Sequence, residues 1–245
     1  MTIAKRRLLA EFLGTALLVC VVVGSGIAAQ QLSPADPGLQ LLENSTATVL
    51  GLAVLILVFG PVSGAHFNPV VSVADWCAGR RHGTGLTGPE LAAYMLAQIT
   101  GGSLGAVLAN VMFDQSAIQI STHHRVTSGH LIGEIVATAG LIAVIFALAR
   151  SGRGGLSAAA VGAYIGAAYW FTSSTSFANP AVTVARMFSN TFAGIAPASV
   201  PPFVLAQFLG AGIGFALVGI LYPTDPAPAD DVVVVPHPPK GADLP

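Results

Sequence analysis

Charge is scarce in this chain. Of its 245 residues ten are Lys or Arg and eleven Asp or Glu, 9% in all, where a soluble domain carries roughly a quarter. The deficit runs the whole length rather than sitting in one segment, and 53% of the residues are hydrophobic. That combination excludes an ordinary soluble globule and indicates a polytopic membrane protein. A formal net charge of −1 removes any electrostatic case for a nucleic-acid partner. Cysteine is almost missing too. Cys20 and Cys77 do not amount to a disulfide framework, a Cys-x-x-Cys pair or a zinc site, and both read as small packing residues. There is no His-Glu-x-x-His and no nucleophile paired with a plausible base, so enzyme activity, metal and cofactor are all unexpected. The neighbours His123 and His124 point to different sides and read as part of a solvated loop with Arg125.

What the chain does have is apolar length. Runs near 8–29, 46–63, 90–113, 130–150, 156–173 and 201–222 approach or reach the roughly 17–25 residues a bilayer requires, with 156–173 at the short end. The opening MTIAKRRLLAEFLG mimics a signal peptide, but its apolar run lacks a persuasive cleavage site and reads as a retained first span. Two further pieces, 68–78 and 179–190, are too short to cross, and both begin at Asn-Pro. Lys5, Arg6, Arg7, Arg80, Arg81, Arg150, Arg153 and Lys240 fall on one side of this layout, Arg125 and Arg186 on the other. The bias places both termini in the cytoplasm of a multi-pass protein of the plasma (inner) membrane. One channel domain is expected over 1–223. The segment 224–245 is rich in proline and reads as a disordered tail, with Val232 to Val235 too few to anchor it.

The chain repeats itself. EFLGTA at Glu11 returns as EIVATA at Glu134, and NPVVSVAD at Asn68 returns as NPAVTVAR at Asn179. Gln98 with Gly101 and Gly105 returns as Gln207 with Gly210 and Gly214. Repeat 1 spans about 8–113 and repeat 2 about 130–222. Halves of three spans each must have opposite orientations, which makes the repeat inverted. The Gly-x-x-x-Gly pairs suit close helix contacts in lipid.

Asn-Pro is the informative element. Proline suits the first helical position and asparagine caps, so each short piece starts a helix at Asn68–Pro69 or Asn179–Pro180. A segment that enters the membrane and turns back must hide its backbone in protein or face water. Two of them, related by an in-plane pseudo-two-fold, would meet at the midplane with positive helix ends and two amides converging. Such a centre offers donors to a solute oxygen and repels cations, as a pore for small neutral molecules does. The bland alternative makes Asn68 and Asn179 simple caps of buried helices.

SGAHFNPVVSV and FANPAVTVAR, together with Glu11 and Glu134, resemble the major intrinsic protein family, the aquaporins and aquaglyceroporins, over about residues 8–222. The resemblance implies an all-α membrane protein with six transmembrane helices plus two re-entrant half-helices in an inverted repeat, one pore per protomer, and a homotetramer in the lipid bilayer. It implies that Glu11 and Glu134 are buried and accept hydrogen bonds from the re-entrant segments. Backbone carbonyls around Ala65–His66 and Thr175–Phe177 would line the pore, and His66 corresponds to a family histidine of the inner wall, with packing as its other reading. The paired motifs here are Asn68-Pro69-Val70 and Asn179-Pro180-Ala181, so Val70 replaces the usual alanine.

A second departure bears on the solute. The family normally carries an arginine three residues after the second asparagine, in an outer selectivity filter; here that residue is Val182. Family spacings place the other filter positions at Thr48, Ala167 (with Ala168 as its neighbour) and Ser176. None of the four is aromatic or charged, so a wide filter is expected, similar to those of arginine-lacking bacterial aquaglyceroporins linked to arsenic resistance. Arsenicals or other metalloid hydroxides come first as solutes, with glycerol or water second. Arg186, one helical turn beyond Val182, either keeps positive charge near the entrance or snorkels or pairs with a loop carboxylate. An ion-coupled transporter would also use inverted repeats, but it calls for intramembrane coupling charges that this chain, with only Glu11 and Glu134 in its spans, does not offer.

Overall fold

The structure, a computed structural model, describes residues 2–80 and 84–223. Arg81, Lys240 and the tail expected to be disordered lie outside the described residues. Among the described residues eight α-helices follow in order: α1 (Ile3–Leu32), α2 (Pro37–Ser63), α3 (Pro69–Gly79), α4 (Gly88–Met112), α5 (Ser128–Arg150), α6 (Ser157–Phe171), α7 (Pro180–Ala185) and α8 (Val200–Leu221). Most starts have a local cause. Thr2, Asp36, Thr87 and Thr127 accept backbone N–H bonds as N-caps, and Thr87 with Glu90 forms a full capping box. Prolines 37, 69, 89 and 180 sit in first turns, where the missing N–H is no loss. α2 stops at Gly64, whose φ of +87° few other residues would adopt.

α1, α2, α4, α5 and the stretch Pro197–Leu221 containing α8 are long and apolar enough to cross a bilayer. α6, at 15 residues, is preceded by a 3-10 turn at Gly154–Leu156 and packs between α2 and α5. The protein is thus an all-α membrane protein, six crossing helices around two short ones. An even number of crossings returns α8 to the face where α1 begins, here the terminal face; the loop 114–127 lies on the opposite, distal face.

Helix pairing follows the internal repeat. α1 packs along α4, and α5 along α8. The cause is glycine at the seam: a Cβ at Gly101 or Gly105 would collide with the carbonyl oxygens of Phe12 or Ala16, and one at Gly210 or Gly214 with those of Ile135 or Ala139. Removing side chains there lets backbones touch, which drives association where lipid is as apolar as the helix surface. The outer faces carry exposed Leu50, Val54, Leu57, Leu104, Leu205 and Ile213, as lipid-facing surface should.

Candidate functional site

The two short helices meet back to back inside the ring. Asn68 and Asn179 cap them, Oδ1 of Asn68 accepting from Val70 N at 3.1 Å, and Oδ1 of Asn179 from Ala181 N at 2.9 Å and Val182 N at 3.2 Å. Each amide then reaches across the pseudo-two-fold. Asn68 Nδ2 donates to Ala178 O and Asn179 Nδ2 to Phe67 O, both at 2.8 Å. One N–H of each amide is therefore spent on the partner segment, and one remains for the cavity that both residues line. Pro69, Pro180, Val70 and Ala181 are buried behind them, Val70 and Ala181 completely.

The segments leading to the asparagines are held by buried carboxylates. Glu11 accepts from His66 N (3.0 Å), Phe67 N (2.8 Å) and Gln98 Nε2 (2.8 Å). Glu134 accepts from Phe177 N and Ala178 N, both 2.9 Å, and from Gln207 Nε2 at 2.7 Å. The glutamines are anchored in turn, Gln98 on Ser72 Oγ and Gln207 on Thr183 Oγ1. Both glutamates are fully buried, and several donors to one carboxylate offset the cost of desolvating it. With the N–H groups turned to the glutamates, Ala65 and Phe67 take φ of +48° and +49°, matched in the other repeat by Ser176 (+51°) and Ala178 (+46°). Left-handed residues of this kind cost about 1–3 kcal/mol each and persist where the surroundings over-determine them. Among the described residues the carbonyls of Ala65, Ser176 and Phe177 accept no hydrogen bond, and all three residues line the cavity. Thr175 has a φ of +62° but does not line it.

The cavity, about 70 Å³, exceeds the roughly 10–15 Å³ one water requires. Its walls are stripes at four-residue spacing: Thr48, Leu52 and Ile56 from α2; Ser157, Val161, Ile165 and Tyr169 from α6; Leu18 and Val22 from α1; Leu141 and Ile145 from α5. Gly64 to Asn68 and Ser176 to Asn179 complete the wall, with Val71, Val182 and Arg186. Thr48, Ser176 and Val182 thus come together, as do Ala65, His66 and Phe177. His66 Nδ1 lies 3.1 Å from Ser72 Oγ, so this residue both lines the cavity and packs.

Ala167 does not belong to this group. It is exposed on the outer side of α6, and its neighbour Ala168 is fully buried without reaching the cavity. The residue facing inward is Tyr169, whose hydroxyl lies 3.2 Å from Thr48 Oγ1. The position counted along an ungapped loop therefore lies off the cavity, two residues before the one that lines it; the four-residue rhythm back from Tyr169 to Ser157 was the available signal. The four residues expected to form a filter without an aromatic ring are thus not the set that lines the cavity. Arg186 is 2% exposed, lines the cavity, donates through Nε to Ala193 O, and sits 3.6 Å over the Phe177 ring centroid. It neither snorkels nor meets a carboxylate.

Arg125 also escaped the sequence reading. It comes from the distal loop, donates through Nε to Gly194 O at 2.6 Å and Nη2 to Phe192 O at 2.8 Å, and lies 5.3 Å from the same Phe177 ring. Burial, opposed by Tyr169 and Glu134, holds its guanidinium below the ordinary value; it remains a cation at any physiological pH. Burial first, then Arg125, lowers the pKa of His123 beside it. The loop is fastened to the segment after α7 by Ser121 N to Met187 O at 2.9 Å and Ala196 N to His123 O at 2.8 Å. Among the described residues no cluster of three or more metal-ligating side chains occurs.

The Major intrinsic protein family matches residues 2–178 of the chain. The chain is 48% identical over 222 residues, 90% of its length and 92% of the relative's, to the Aquaglyceroporin AqpS of Rhizobium meliloti (strain 1021). It is 30% identical over 269 residues to the Glycerol uptake facilitator protein of Pseudomonas aeruginosa, covering 91% of this chain and 92% of that one. Among solved structures, the aquaglyceroporin from Plasmodium falciparum superposes with a TM-score of 0.65 at 19% identity, over 88% of this chain and 95% of its own.

Proposed function

The chain belongs to the major intrinsic protein family and is a membrane channel for small neutral solutes, not an enzyme; on that premise we propose that its pore passes solutes bulkier than water. First among them are trivalent and methylated arsenicals and other metalloid hydroxides, then glycerol-like polyols. The observation that carries this reading is Val182, an apolar side chain lining the cavity where the family resemblance places an arginine. Leu18, Val22 and Leu52 are apolar wall residues as well, which suits a solute with few donors. The similarity to proteins named aquaglyceroporin and glycerol uptake facilitator supports the same class. A plain glycerol channel is the second reading, favoured by Tyr169, whose ring takes space that Ala167 would have left open.

In this proposal Thr48, Tyr169, Ser176 and Val182 form the selectivity filter, and Asn68 and Asn179 the central gate against cations. The protein works as a homotetramer in the plasma membrane with both termini in the cytoplasm. Stopped-flow light scattering of proteoliposomes challenged in parallel with water, glycerol, arsenous acid and methylated arsenite tests it. Val182→Arg is expected to leave water flux within about twofold and to cut the larger solutes by about tenfold or more. Unchanged passage of glycerol and methylated arsenite through that variant would remove Val182 from the constriction.

A further inference from the structure

Arg186 has more donors than the protein uses. A guanidinium carries five N–H groups in a rigid fork, and among the described residues only Nε has a partner, the carbonyl of Ala193. The group is nevertheless buried and lines the cavity. Its plane is held by the Phe177 ring, over which Arg125 also sits. Neither cation meets a carboxylate within ion-pair range among the described residues. The nearest acid of the repeat, Glu134, is occupied by Phe177 N, Ala178 N and Gln207.

The hydroxyls at the same end of the cavity complement those free donors. Thr48 gives its own hydrogen to Asn44 O at 2.9 Å, so in the contact with Tyr169 the tyrosine must donate. That leaves the Tyr169 oxygen with lone pairs to offer. Ser176 Oγ is buried and has no partner, although Ser176 lines the cavity. Donors on Arg186, an acceptor on Tyr169 and a hydroxyl able to do both on Ser176 thus border one space.

We propose that Arg186 is a specificity-determining residue of this channel, and that with Tyr169 and Ser176 it forms a binding site for one neutral, hydroxyl-bearing solute. The inference rests on the solute class proposed above and adds the groups that select within it. A hydroxyl both donates and accepts, which is what this set satisfies; a cation meets the positive charge of Arg186, with Arg125 over the same ring, and neither has a carboxylate within ion-pair range among the described residues to offset it. The filter of this chain is therefore charged, with its cation one helical turn further from the asparagines than Val182.

The test compares wild type, Arg186→Leu and Arg186→Lys in proteoliposomes, with inserted protein quantified by immunoblotting of the washed vesicles. Two readouts are taken: potassium leak, and the permeability ratio of glycerol to the longer polyol erythritol. Leucine is expected to raise the leak by about tenfold and to flatten the ratio by about threefold or more, because charge and fork are both gone. Lysine should hold the leak at the wild-type level and still flatten the ratio, since a single ammonium keeps the charge without the fork. A residue that only pins Ala193 would give lysine variants identical to wild type in both readouts, and that result overturns the proposal even if the leucine variant fails to insert. Wild-type liposomes that pass water but no polyol would sink the solute class alone, leaving the leak to judge Arg186.

Discussion

At Glu11 and Glu134 one carboxylate does the work of a turn. Each receives two backbone N–H groups and a glutamine amide, and Glu11 the Ser63 hydroxyl as well. Glu134→Gln replaces one oxygen by an NH2 that faces donors. It is expected to cost about 2–4 kcal/mol, read as a melting temperature lowered by several degrees in detergent; an unmoved transition would mean the loop holds itself. These residues were legible in the sequence because they occur twice in matching context. Tyr169, Arg125 and the buried state of Arg186 were not. Which of three successive residues on α6 faces inward depends on the rotation of a helix whose start, a 3-10 turn, leaves no motif. Arg186 ends α7 and begins a second 3-10 turn, Arg186–Phe188, and that tightening brings it inward instead of out to the interface. Arg125 reaches Phe177 from far along the chain, beyond any local pattern.

Among the elements, the two glycine seams and the two half-helices were the features that sequence periodicity could supply. The short pieces expected at 68–78 and 179–190 appear as α3 over Pro69–Gly79 and as α7 over Pro180–Ala185 with its 3-10 extension. Glycines within one helix nonetheless differ sharply in consequence. Gly214→Ala would drive a methyl group into the Ala139 carbonyl, whereas Gly212 faces open space. The first substitution is expected to lower the melting temperature by several degrees, with a cost of about 1–3 kcal/mol for the overpacked contact. Gly212→Ala should leave the temperature unchanged or slightly raised. Equal behaviour of the two would show that α5 and α8 do not depend on backbone contact.

For the molecule as a whole, an inverted pair of halves around a shared cavity, with Glu11 and Glu134 already occupied by backbone and amide donors, describes a conduit rather than a machine. Solute flux is expected to follow the solute gradient alone, in both directions, and to stay within about twofold when a proton or sodium gradient is imposed; a gradient-driven accumulation would contradict it. The distal loop adds a second kind of constraint, since it ties Ser121 and His123 to the chain beyond α7 and so fixes the entrance to the same halves that form the centre. Part of the passage is bordered by residues 64–67 and 176–178, clamped from behind by acids that never meet the solute. Amino-acid replacement cannot edit a peptide group. Divergence in what this channel admits is thereby left to the side chains of the helix stripes and of the end bearing Val182 and Arg186, and a lineage could exchange one cargo for another in few steps while the clamped segments stay untouched.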